Sequence, residues 1–140
     1  MIYALSAAPS SIFVDKLMSV KRHAICGSID TKVRHIYDVA RLYELPEIKK
    51  FLADREELKR LITITKETDS YYLAKRNISK EYDPTGAYDF NTWKQHLTDS
   101  ARSIYERLHI DLLYTDEKRS FDDALKAFEE IDEILQSIGE

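Results

Sequence analysis

Three glycines, three prolines and one cysteine are all that this chain of 140 residues holds of the residues that make sharp turns and cross-links. So little turn-forming material argues against a domain of many short strands, each needing its own turn, and favours long helices. The single cysteine, Cys26, rules out an internal disulfide and suits a reducing cytoplasm. No apolar run approaches the roughly 20 residues needed to cross a bilayer. The opening Met1–Pro9 has neither a basic start nor a long apolar stretch, so no secretory signal is expected. Positive charge is not in excess: 21 Lys and Arg against 25 Asp and Glu leave a net charge of −4. That balance argues against an overall electrostatic grip on nucleic acid and leaves room only for a local basic patch.

What is present is apolar residues at helical spacing. A hydrophobic fraction of 44% beside 33% charged residues is that of a soluble globular protein with one sizeable core. Pro9 is suited to open a first helix, whose Phe13, Leu17, Val20 and Ala24 recur on one face. Gly27-Ser28 ends it. Asp30 is expected to cap a second helix bearing Val33, Ile36, Tyr37, Val39, Ala40 and Tyr43. Pro46 starts a short third helix, and Asp54 caps a long fourth that frays near Asn77. Ser79 to Asp89, holding Asp83-Pro84-Thr85-Gly86, is the clear loop. Asn91 is expected to cap a fifth helix carrying Trp93, Leu97, Ala101, Ile104 and Leu108 as one stripe. Ser120-Phe121-Asp122-Asp123 resembles a capping box with aspartate in the glutamate position, opening a last helix that stops at Gly139. The expected fold is all-α: a single bundle of about five to six helices over residues 1–140, read from this periodicity. The apolar piece Ile2-Tyr3-Ala4-Leu5 is expected to be extended. Having no partner strand, it is either a disordered leader or the remnant of a lost sheet.

Several constellations could carry chemistry, and most have a simpler reading. His23 and Cys26 are three apart near a helix end, but His96 and His109 lie far downstream without the short ligand pairs of a structural zinc site, so no metal site is expected. Cys26 has no acidic or histidine partner that the pattern places beside it. A Gly-Ser turn followed by paired aspartates marks nucleotidyltransferases, yet here Gly27-Ser28 joins two helices and Asp38 is followed by Ala40 where a second carboxylate would stand. Lys16, Lys21, Arg22, Lys32, Arg34 and Arg41 form either a basic flank for phosphate groups or a solvated helix surface. Tyr71, Tyr72, Tyr82, Tyr88 and Trp93 surround the loop, either as packing or as base-stacking platforms. Lys16 and Asp38 each interrupt an apolar stretch. They could be an ordinary ion pair, or a lysine and carboxylate serving phosphate and metal chemistry.

The segments around these two residues resemble the C-terminal helical half of the AbiEii/AbiGii-type toxin nucleotidyltransferases of bacterial abortive-infection and type IV toxin–antitoxin systems. Members carry a strand, then Leu-Ser, then Phe-x-Glu-Lys-Leu at a helix start; this chain reads Tyr3-Ala4-Leu5-Ser6 and Phe13-Val14-Asp15-Lys16-Leu17. Their Arg-His-Tyr-Tyr-Asp-Leu motif is matched by Arg34-His35-Ile36-Tyr37-Asp38-Val39. The likeness extends in helix order to Tyr88–Trp93 and Ser120–Asp123. It implies that Lys16 contacts nucleotide phosphates, that Asp38 is a supporting catalytic carboxylate, and that Arg34 orients Asp38 or a phosphate. It also implies that the half holding the metal-binding aspartates is missing, so the chain alone binds no cofactor and is inactive. NTP and Mg2+ are implied for an intact member, with RNA or protein as acceptor. The expected partners are an antitoxin or the N-terminal catalytic domain, and the expected setting is cytoplasmic, without membrane. A non-enzymatic helical module that binds a partner protein or forms a homo-oligomer is the alternative.

Overall fold

The computed structural model describes residues 8–74, 82–111 and 120–140. Among them are seven α-helices and no strand: α1 (Pro9–Ile25), α2 (Val33–Tyr43), α3 (Pro46–Ala53), α4 (Arg55–Ala74), α5 (Phe90–Trp93), α6 (Asp99–Asp111) and α7 (Phe121–Ser137). The expected all-α bundle is the observed class. Ile2–Leu5 and Asn77 lie outside the described residues.

Local signals set most boundaries. Pro9 occupies the first turn of α1, where its missing N–H costs nothing. Gly27, at φ 79°, ends that helix in a Schellman arrangement: the Gly27 N–H donates to the Ala24 carbonyl and the Ser28 N–H to that of His23. Asp54 Oδ1 accepts from the Glu57 N–H at 3.2 Å and caps α4. Ser120 Oγ accepts from the Asp123 N–H, and Asp123 Oδ2 accepts from the Ser120 N–H, completing the capping box of α7.

Two boundaries differ from expectation. Asp30 does not cap α2. It lies in a 3₁₀ turn, Ile29–Thr31, and α2 begins at Val33. Ile29 is buried and draws this turn into the core, while the Asp30 carboxylate accepts from Ser100 Oγ at 2.7 Å and ties the turn to α6. The stripe from Asn91 to Leu108 is not one helix either. Asp89, at φ 51°, precedes α5; a 3₁₀ turn at Lys94–His96 follows it, and Leu97 is extended at ψ 98°. Thr98 Oγ1 then accepts from the Ala101 N–H and opens α6. Buried Asp132 of α7 holds the start of α5, its Oδ1 accepting from the Phe90 N–H at 3.3 Å, while the break itself falls where Thr98 caps α6.

α1 and α2 form the most extensive packing pair. α7 and α6 lie on α2, α3 spans α1 and α4, and α5 is held between α1 and α7. The inward faces follow from the sequence stripes: Phe13, Val14, Leu17 and Val20 from α1 meet Ile36, Val39 and Ala40 from α2 and Phe128, Ile131 and Leu135 from α7 in one core. Phe90, Trp93 and Phe128 add an aromatic cluster, with Phe90 stacked on Phe128 at 5.5 Å and Trp93 edge-on to Phe90 at 4.9 Å. Of the aromatics around the loop, Tyr82, Tyr88 and Trp93 are buried, whereas Tyr71 and Tyr72 are exposed.

Candidate functional site

Lys16 and Asp38 come together. The ammonium of Lys16, on α1, donates to Asp38 Oδ2, on α2, at 2.9 Å, across a separation of 22 residues. Their side chains keep 27% and 21% of their surface, so the pair is partly buried at the α1–α2 interface and open to solvent. Beside it Ser19 Oγ and His35 Nδ1 are 3.2 Å apart. Pairing of 16 with 38 and 19 with 35 is the register of two antiparallel helices. Residues three or four apart on each helix share a face, which lines these groups into one seam. The seam continues to the end of α1, where His23 Nδ1 lies 2.7 Å from Ser28 Oγ.

Positive charge dominates this seam. His23 is pushed down to about 4, first by burial and then by the charges of Arg22, Lys32 and His35. His35 is held below the ordinary imidazole value by burial and by Lys16 and Lys32, with Asp38 acting against them. Arg34, exposed one turn before Asp38 on α2, makes no hydrogen bond or ion pair among the described residues. The structure thus brings Lys16 and Asp38 into contact and leaves Arg34 on the rim.

Lys21 departs from the basic flank. It is only 8% exposed, its ammonium donates to the Ala87 carbonyl, and the Tyr88 ring lies 5.7 Å away. Burial, followed by the charge of Lys66, holds it below the usual lysine range. Lys66 in turn is paired with Glu140 at a cavity of about 630 Å3, also lined by Thr63, Ser70, Thr85 and Gly139. Sequence reading missed this second polar region because its parts lie up to 74 residues apart and carry no motif. The Lys66 charge is already matched by a carboxylate there, so among the described residues the cavity has no unpaired cation.

The donor set of the seam suits phosphate oxygens and does not suit a divalent cation. Asp38 is its one carboxylate, and an ammonium already occupies it, whereas Mg2+ is held by carboxylates together with substrate phosphates. Among the described residues no group of three or more His, Cys, Asp or Glu side chains is placed to hold a metal, and no helix is long and apolar enough to cross a membrane. Compared with models of protein families, with curated proteins and with solved structures, the chain matches none.

Proposed function

We propose that the open end of the α1–α2 seam is part of a nucleotide-phosphate site, in a helical domain similar to the C-terminal half of AbiEii-type toxin nucleotidyltransferases. The observation that carries this reading is the 2.9 Å contact between Lys16 and Asp38, partly open to solvent. Lys16 is the phosphate contact. Asp38 holds the ammonium in position and supplies one supporting carboxylate, and Arg34 adds a charge at the rim. An ammonium is a compact point charge suited to phosphate oxygens, and its charge-assisted hydrogen bonds are stronger than neutral ones. Nucleotidyl transfer through two metals needs clustered carboxylates. Those must come from a partner or from a domain beyond these residues, so the chain alone is expected to be inactive.

Titrating the purified chain with Mg2+-NTP, followed by NMR, should shift the amide signals around Lys16, Arg34 and Asp38 saturably. Lys16→Met should abolish those shifts while changing stability by less than about 1 kcal/mol, as for a partly exposed ion pair. Shifts that persist unchanged in Lys16→Met, or their absence at millimolar nucleotide, overturn the reading. Transfer of labelled nucleotide by the chain alone, lost in Lys16→Met, overturns its inactivity. The alternative, a module that binds a protein partner or itself, is favoured by one feature: α4 turns Ile64, Tyr71 and Tyr72 outward, at 43%, 59% and 54% exposure. Sedimentation as a dimer that dissociates in Tyr72→Glu would support it.

A further inference from the structure

Among the described residues Lys21 is the one basic side chain of the interior, 8% exposed, and no carboxylate pairs with it. Its ammonium has three N–H donors. The hydrogen bond it makes among the described residues goes to the Ala87 carbonyl, and the Tyr88 ring lies 5.7 Å away. A charge buried in this way is costly, because one neutral acceptor does not replace the hydration it has lost. Three carboxylates bear on it, Asp89, Asp83 and Asp132, with Lys66 acting against them. Two of the three are engaged elsewhere. Asp132 accepts from the Phe90 N–H and from Gln136 Nε2, and Asp83 Oδ1 accepts from the N–H and the hydroxyl of Thr85. The Asp89 carboxylate is exposed and makes no hydrogen bond or ion pair among the described residues.

Lys21 and Asp89 line the same cavity. It has a volume of about 220 Å3 and lies between the second half of α1, the loop before α5 and α5 itself; Ile25, Asp83, Ala87 and Trp93 also form its wall. That is below the roughly 300–1,000 Å3 of sites for drug-sized ligands, so its occupant is small. The wall thus carries a buried cation and an exposed anion that are not joined to each other, with the apolar surfaces of Ile25 and Trp93 beside them. We propose that this cavity binds a small zwitterion of the α-amino-acid class, its carboxylate on the Lys21 ammonium, its ammonium on the Asp89 carboxylate and an aliphatic side chain against Ile25 and Trp93. The charges set the orientation: carboxylate inward, where Lys21 lacks a counter-charge, and ammonium outward. A simple carboxylate satisfies only the first of these groups, and a simple amine only the second. Lys21 follows Lys16 by five residues, roughly 140° further round α1. The site is therefore separate from the Lys16–Asp38 contact and does not rest on the nucleotide reading.

Trp93 is the chain's single tryptophan and lines the cavity, so its fluorescence reports directly. Leucine should change that fluorescence saturably. Isocaproate, which lacks the ammonium, and isoamylamine, which lacks the carboxylate, should each bind about tenfold more weakly through the loss of one charge-assisted contact. Lys21→Met keeps the apolar stem and removes an unpaired buried charge, so the variant should melt no lower than the wild type while losing the leucine response. Asp89→Asn is suited to the left-handed backbone at φ 51°. It should lower the affinity for leucine to that for isocaproate and leave isocaproate binding unchanged, and Lys16→Met should alter neither. No saturable response to leucine, valine or alanine at about 10 mM overturns the proposal, as does isocaproate binding as tight as that of leucine, or a leucine response unchanged in Lys21→Met. Should Lys21→Met fail to fold by circular dichroism, Asp89→Asn decides: leucine affinity untouched by that substitution overturns the proposal. A response lost in Lys16→Met overturns the separation of the two sites.

Discussion

His23 shows how much one side chain can report about its surroundings. In the unfolded chain it titrates near the ordinary value of 6.5, and in the folded one it is pushed down to about 4. Between those values the unfolded state holds a proton that the native state has released. Folding stability therefore rises with pH through that window and is lost as pH falls through it. Urea unfolding in chloride buffer should give a smaller free energy at pH 5 than at pH 7. The difference should shrink in His23→Gln, which keeps a polar partner for Ser28 but cannot take up the proton. An unchanged pH slope in the variant would show that other groups account for it. Lys16 and Asp38 were legible in the sequence as a pair because each breaks an apolar stripe at a position that faces a neighbouring helix. Lys21 was not. Its spacing from Val14, Leu17 and Ala24 puts it on the buried face of α1, but its charge reads as solvated; what receives its ammonium is Ala87 and Tyr88, from a loop 66 residues further on.

At the scale of elements, the α1–α2 turn decides where the seam lies. Gly27 adopts φ 79°, and a Cβ built there would meet nothing within 4 Å. The cost of Gly27→Ala is then conformational alone, about 1–2 kcal/mol for a left-handed backbone. Gly27→Asn should cost less, since asparagine tolerates that region better. Urea midpoints should follow the order Gly, Asn, Ala with unchanged denaturant slopes; an alanine variant as stable as the wild type would mean that the turn relaxes to another conformation. This turn, the proline at the start of α1 and the Ser120–Asp123 box could be read from the sequence because each is a contract between residues within one turn of each other. The break between α5 and α6 is local too, but the apolar stripe masks it. The apolar spacing runs through Leu97 uninterrupted, and it hides the Thr98 hydroxyl that accepts from the Ala101 N–H and starts a separate helix. Asp30 misled for a different reason: its carboxylate is an N-cap by type, but Ser100 of a distant helix claims it.

For the whole molecule, the separation between what holds the fold and what serves the seam is itself testable. Phe128 is fully buried on α7, stacked on Phe90 and edge-on to Trp93 at 6.1 Å. Replacing it with alanine removes a large apolar side chain from the point where α7 meets α5, and such truncations cost about 3–5 kcal/mol. Domains of this size have a total stability of roughly 5–15 kcal/mol. Phe128→Ala should therefore sit close to the folding threshold, with a melting temperature lower by about 10 °C or more. Trp93 fluorescence, inside the same aromatic cluster, should report the loss together with far-ultraviolet circular dichroism as one transition. Among the described residues, the hydrogen bonds of the seam join α1, α2 and the turn between them, and none goes to this cluster. Below its midpoint, Phe128→Ala should still give the nucleotide-dependent amide shifts around Lys16 and Asp38 at wild-type affinity, because residues without shared partners act independently. Loss of that response while the variant remains folded would mean that core packing sets the seam's geometry, and that the fold and the site are one cooperative device.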